Sequence, residues 1–94
     1  MPEFLVELYV AQADGAAAVD SKAVSARSAA LELTREGRPV QYVRSIFVPE
    51  DETCFLLYEA ATAEDVEEAA RRASLAFDHV ALAVAARPGE GERS

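Results

Sequence analysis

There is no tryptophan in this chain, and it has only one cysteine and one histidine. With no Trp and aromatic residues at 7%, the core has to be assembled mainly from Ala, Val and Leu. A lone Cys54 forms no internal disulfide. A lone His79 removes any His-x-x-x-His metal pair, and the sequence has neither a Cys-x-x-Cys pair nor a Gly-rich phosphate loop. Basic residues are also scarce: nine Lys and Arg stand against seventeen Asp and Glu, for a formal net charge of -8. That balance repels phosphate backbones and anionic lipid, so nucleic acid and membrane surfaces are excluded as expected partners. No apolar run reaches the roughly 18 residues of a membrane span. Met1-Pro2-Glu3-Phe4 lacks the basic region and long apolar core of a signal peptide, so a soluble cytoplasmic protein is expected.

What is present is apolar and regularly spaced. A hydrophobic share of 51% over 94 residues makes one small domain, assigned to residues 1–86. The Gly, Pro and charge of 87–94 predict a flexible C-terminal tail. The organising stretch is Val40 to Glu59, where two runs rich in Val, Ile, Phe and Tyr flank the polar Pro49-Glu50-Asp51-Glu52 and read as a β-hairpin. Placing Val48 opposite Thr53 runs the pairing back through Arg44 opposite Leu57 and Val43 opposite Tyr58 to Tyr42 opposite Glu59. Alternation then puts Val43, Ser45, Phe47, Cys54, Leu56 and Tyr58 on one face. Tyr42, Arg44, Ile46, Phe55, Leu57 and Glu59 take the other.

Phe4 to Val10 reads as a strand with Phe4, Val6, Leu8 and Val10 on a purely apolar face and Glu7 and Tyr9 on the opposite one. A long helix follows, from Asp14 as N-cap (or from Asp20-Ser21) to Gly37, with a mostly Ala stripe at Ala16, Val19, Ala23, Ala26, Ala30 and Leu33. Thr62-Ala63-Glu64-Asp65 is a capping sequence for a second helix reaching about Ser74, with Val66, Ala69, Ala70 and Ala73 inward. His79 to Ala85 is the last strand. The order strand, helix, strand, strand, helix, strand predicts an α+β, ferredoxin-like βαββαβ fold, with a four-stranded antiparallel sheet carrying both helices on one face.

Within that fold, Ser45, the Leu-Tyr-Glu-Ala of Leu57 to Ala60 and the Glu-Ala-Ala-Arg-Arg-Ala of Glu68 to Ala73 carry a resemblance to a known family. From Ser28 to Val84 the chain resembles short bacterial ferredoxin-like proteins described as of unknown function or as nickel-binding. The resemblance implies a small binding protein, with nickel as its cofactor. Many relatives have Trp where Tyr42 stands, His where Arg44 stands, and Cys where Leu56 stands, so the imidazole supply that nickel favours is reduced here.

The sheet face away from the helices is the expected site. It is predicted to collect Glu7, Tyr9, Tyr42, Arg44 and Glu59 as ligand-binding residues and His79 as the one metal donor, with Ser45 and Tyr58 as polar groups of the opposite face or the cleft edge. The plainer reading is that Glu7, Arg44 and Glu59 form ion pairs. Cys54 reads as a small buried hydrophobe. Leu5, Tyr9, Ile46, Phe55, Leu57, Ala81 and Ala83 would lie in water on that face, which predicts a homodimer in which two sheets associate face to face. The function expected is a dimeric binding protein for a small ligand or divalent metal. The alternative is a dimeric α/β-barrel enzyme, using Arg44 or Tyr42 to orient a small organic molecule and Glu7 or His79 as base.

Overall fold

Strand β1 (Glu3–Tyr9) opens a computed structural model that describes residues 1–84. The expected domain limit at residue 86 and the tail 87–94 lie outside the described residues. Its buried positions alternate without a break, because Phe4, Val6, Leu8 and the following Val10 all turn one way. After a 3-10 turn at Gln12–Asp14 comes helix α1 (Gly15–Arg35), then strand β2 (Val40–Val48), a second 3-10 turn at Pro49–Asp51, and strand β3 (Thr53–Ala60). Helix α2 (Ala63–Arg72) and strand β4 (Phe77–Ala83) complete the described residues. The sheet runs β2-β3-β1-β4 with every pair antiparallel, as a βαββαβ ferredoxin-like unit requires. The shortest dimension is 18 Å, the thickness of one sheet and one helix layer.

Both helices stop by the same backbone device. At the end of α1 the amide of Gly37 donates to the Thr34 carbonyl and that of Arg38 to Leu33, while Gly37 takes φ 95°. This is the Schellman arrangement, and glycine suits its left-handed residue. At the end of α2 Ser74 donates to Arg71 and Leu75 to Ala70, with Ser74 at φ 59°, so a serine occupies the position a glycine would relax. At the other end Thr62 behaves as its sequence predicts, its hydroxyl accepting from the Asp65 amide at 3.2 Å. Asp14 stands at the N-cap of α1 without a side-chain bond to the helix.

The core is the space between helices and sheet. Val6, Leu33, Leu56, Tyr58, Val66, Ala69 and Ala70 are each fully excluded from solvent. In α1 the buried positions are Ala26, Ala29, Ala30 and Leu33, so the second half of the helix does the packing and its first turns stay largely in water. Alanines let the helix lie close to the strands, in place of the large aromatics the chain lacks. Outside that core, Arg72 closes the seam between helices: its guanidinium bonds Glu68 at 2.9 Å and Glu36 at 2.8 and 3.0 Å, and reaches Glu32 at 3.1 Å. No helix among the described residues is long and apolar enough to cross a membrane.

One feature of the hairpin departs from the sequence expectation. Pairing follows it from Val48 opposite Thr53 to Arg44 opposite Leu57, and then Val43 is an extra residue, so Tyr42 faces Tyr58 and Gln41 faces Glu59. A bulge adds one residue to one strand, and every position beyond it changes face. Tyr42 therefore lies on the helix-covered side, not on the open one.

Candidate functional site

The open face is best described as rows across the sheet, from β2 through β3 and β1 to β4. One row is Arg44, Leu57, Leu5, Ala81; the next is Ile46, Phe55, Glu7, His79; a third, at the Glu59 end, is Gln41, Glu59, Glu3, Ala83. The middle of the face is apolar and the charged groups stand around it. Leu5, Phe55 and Leu57 shelter one another and are half-buried, while Ile46 remains 49% exposed and Tyr9 62%.

Of the residues expected here, Glu7, Tyr9, Arg44, Glu59 and His79 do share this face. Only two of them meet. His79 Nε2 stands 3.5 Å from Glu7 Oε1, because antiparallel pairing sets the two residues directly opposite. Arg44 makes no ion pair with Glu7 or Glu59 among the described residues. Register explains this: Glu7 is two strands and one row away, and Glu59 lies on a diagonal.

Tyr42, Ser45 and Tyr58 form a separate cluster on the covered side. The Tyr42 and Ser45 hydroxyls are hydrogen-bonded to each other. The Tyr42 ring meets Tyr58 edge to face, with centroids 5.9 Å apart and planes at 72°, and the Arg27 guanidinium sits 5.7 Å from the centre of the Tyr42 ring. Tyr58 is fully buried and its hydroxyl has no hydrogen-bond partner among the described residues. Burial, and then the neighbouring Tyr42, push its phenol well above the ordinary tyrosine range. Ionisation there is remote. Cys54 is likewise buried on this side, opposite Leu8 and Phe47, and burial raises its thiol. A raised, enclosed thiol is a packing group.

Arg27 was not among the residues the sequence singled out. Its signal was only its place on α1, three positions before Ala30, and nothing in a helical stripe announces that a bulge will turn a tyrosine toward it.

As a metal centre one copy falls short. Glu7 and His79 supply two donors, and no group of three or more His, Cys, Asp or Glu residues converges among the described residues. Two donors complete neither a square-planar nor an octahedral shell.

Architecture and site together define a ferredoxin-like α+β domain with an uncovered sheet face bearing a carboxylate–imidazole pair. The chain belongs to the SCO4226-like family of nickel responsive proteins, whose model matches residues 4–82, in line with the resemblance read from Ser45 and the two helix and strand segments. The crystal structure of SCO4226 from Streptomyces coelicolor A3(2) is similar in fold, with a TM-score of 0.67 at 18% identity, covering 90% of this chain and 99% of that one. No curated protein matches the sequence.

Proposed function

We propose that this chain is a small binding protein that works as a homodimer through its open sheet face. Nickel, on this reading, is held between Glu7–His79 pairs contributed by both copies. The observation that carries it is the face itself: an apolar centre of Leu5, Phe55, Leu57 and Ile46, left without a helix layer and edged by the chain's one histidine beside a carboxylate. A soluble domain gains by hiding such a centre, at about 25 cal/mol per Å² of apolar area. A two-fold contact presents the same patch from each side and doubles the donor set from two to four. The family's description as nickel responsive supports the metal part. Tyr9, Arg44 and Glu59 would then serve a small polar ligand at the rim of the same interface. The enzymatic alternative calls for Glu7 or His79 enclosed in apolar surroundings; in one chain their side chains are 36% and 60% exposed, so that enclosure too would have to come from the dimer contact.

Sedimentation equilibrium followed by calorimetric nickel titration tests this. The wild type should be dimeric at micromolar concentration, and Leu57→Asp should be monomeric with a lower melting temperature. Nickel should bind weakly, at no more than one ion per dimer, and be lost in both His79→Ala and Leu57→Asp. A folded wild-type monomer at that concentration would sink the dimer. Binding unchanged by His79→Ala, or weaker than about millimolar, roughly 4 kcal/mol, removes the metal and leaves the dimer standing.

A further inference from the structure

A cleft of about 410 Å³ opens on the other side of the domain, between α1 and the first half of β2. Its walls come from Arg27, Ala30, Leu31 and Thr34 of the helix and from Val40, Gln41 and Tyr42 of the strand. That volume falls within the usual range for small-molecule sites. It is unrelated to the open face, since the sheet itself separates the two.

The chemistry of the walls is selective. Ala30 and Val40 are buried and make an apolar floor, and Leu31 leaves half of its side chain, 51%, in water at the mouth. Thr34 has little to give a ligand: its hydroxyl donates to the Val40 carbonyl at 3.0 Å and accepts from the Val40 amide at 3.1 Å. What remains is one cation, Arg27, because alternation sends the Gln41 side chain to the open face and leaves only its backbone at the cleft. Arg27 has no carboxylate partner among the described residues, in a chain with almost twice as many acids as bases. Instead its guanidinium lies over the Tyr42 ring. A cation–π contact uses none of the guanidinium N–H donors, which leaves them for an anion.

Both walls are also fixed in advance. The Thr34–Val40 bonds tie the end of α1 to the start of β2, and the hydrogen bond to Ser45 holds the Tyr42 ring against Tyr58. A site whose walls are already ordered loses less entropy when it fills.

We infer that this cleft binds an amphipathic carboxylate, an organic monoanion whose apolar body lies on Ala30, Leu31 and Val40 and whose carboxylate is taken by Arg27. The bulge at Val43 makes the site possible, because without the extra residue Tyr42 would project from the opposite face and Arg27 would have no ring to rest on.

Amide chemical-shift mapping on the full chain, with naphthoate as the probe and the neutral naphthamide as its control, tests the assignment. Naphthoate should shift the amides of Arg27, Leu31, Gln41 and Tyr42, and naphthamide should bind at least about tenfold more weakly, as loss of a charge-assisted bidentate contact implies. Arg27→Gln, an exposed substitution that leaves the core untouched, should weaken naphthoate by a similar factor, and Arg27→Lys by less. Arg44→Gln on the other face should have no effect. Leu57→Asp should leave naphthoate binding intact, which separates this site from the proposed dimer. Equal binding of the neutral probe, shifts confined to the open sheet face, an unaffected Arg27→Gln, or no binding of naphthoate by the wild type each overturns the inference.

Discussion

Leu56 and Leu57 are neighbours in one strand and chemically identical, yet they belong to different environments. Leu56 is fully excluded from solvent beneath the helices, whereas Leu57 lies half-buried in the middle of the open face. The covered face has a close-packed centre within one chain, Val6, Leu33, Leu56, Tyr58 and Val66, and opens only toward its margins, at the cleft beside Leu31 and at Leu82. The open face is apolar enough to resemble a core but has only its own neighbours for cover. The contrast separates apolar surface that the chain buries by itself from apolar surface that it leaves half in water.

The largest effect should come from truncating each leucine to alanine and comparing the losses by urea denaturation. Leu56→Ala leaves a cavity in a close-packed layer and should cost about 2–5 kcal/mol. Leu57→Ala should cost clearly less in a monomer, and a loss that grows with protein concentration would place Leu57 inside an interface.

A smaller effect is expected from loosening the roof over the covered face. The hydrogen bonds that Arg72 gives them hold the Glu36 and Glu68 carboxyls below their ordinary 4.5. Carboxyls depressed on folding stabilise the native state above the unfolded value and lose that contribution as pH falls through the folded one. The wild type should therefore show a melting temperature that declines below pH 4.5, and Arg72→Gln should flatten part of that decline. Glu36 is solvent-exposed and Glu68 partly so, and the effect should shrink in high salt.

The smallest change is expected at an unsatisfied group of the covered face. Tyr58→Phe removes a buried hydroxyl that has no partner among the described residues, and should be neutral or stabilising, within about 1 kcal/mol by urea denaturation. A clear destabilisation would mean that the hydroxyl is satisfied in solution.

How much of this could be read from sequence follows the same division. Strict alternation in Phe4 to Val10 and the Thr62 cap speak through local rules, and the elements they predict are present. The hairpin register also holds as far as Arg44. It fails at Val43 because a bulge depends on how two strands twist against each other, and Val-Gln-Tyr-Val-Arg contains no glycine to mark the place. That single residue moved Tyr42 from the expected site to another one, and so brought together Arg27, Tyr42, Ser45 and Tyr58 from three separate elements. Alternation alone put Glu7 and His79 on one face, whereas their direct opposition follows from the β1–β4 register. Arg44 and Glu59 share a face as expected, but the row spacing that keeps them unpaired becomes visible only once the strand order is known.

The extra residue in β2 has a counterpart. In β4 the pairing with β1 steps from His79 to Phe77, leaving Asp78 out of register. Since β2 and β4 are the two outer strands, each free edge of the sheet is interrupted once by an unpaired residue. An interrupted edge is a poor template for a further strand, whether from another copy or from a growing fibril. Lateral extension of the sheet is thus disfavoured on both sides, and the flat of the sheet, where Leu57 lies, is the surface left to the proposed dimer.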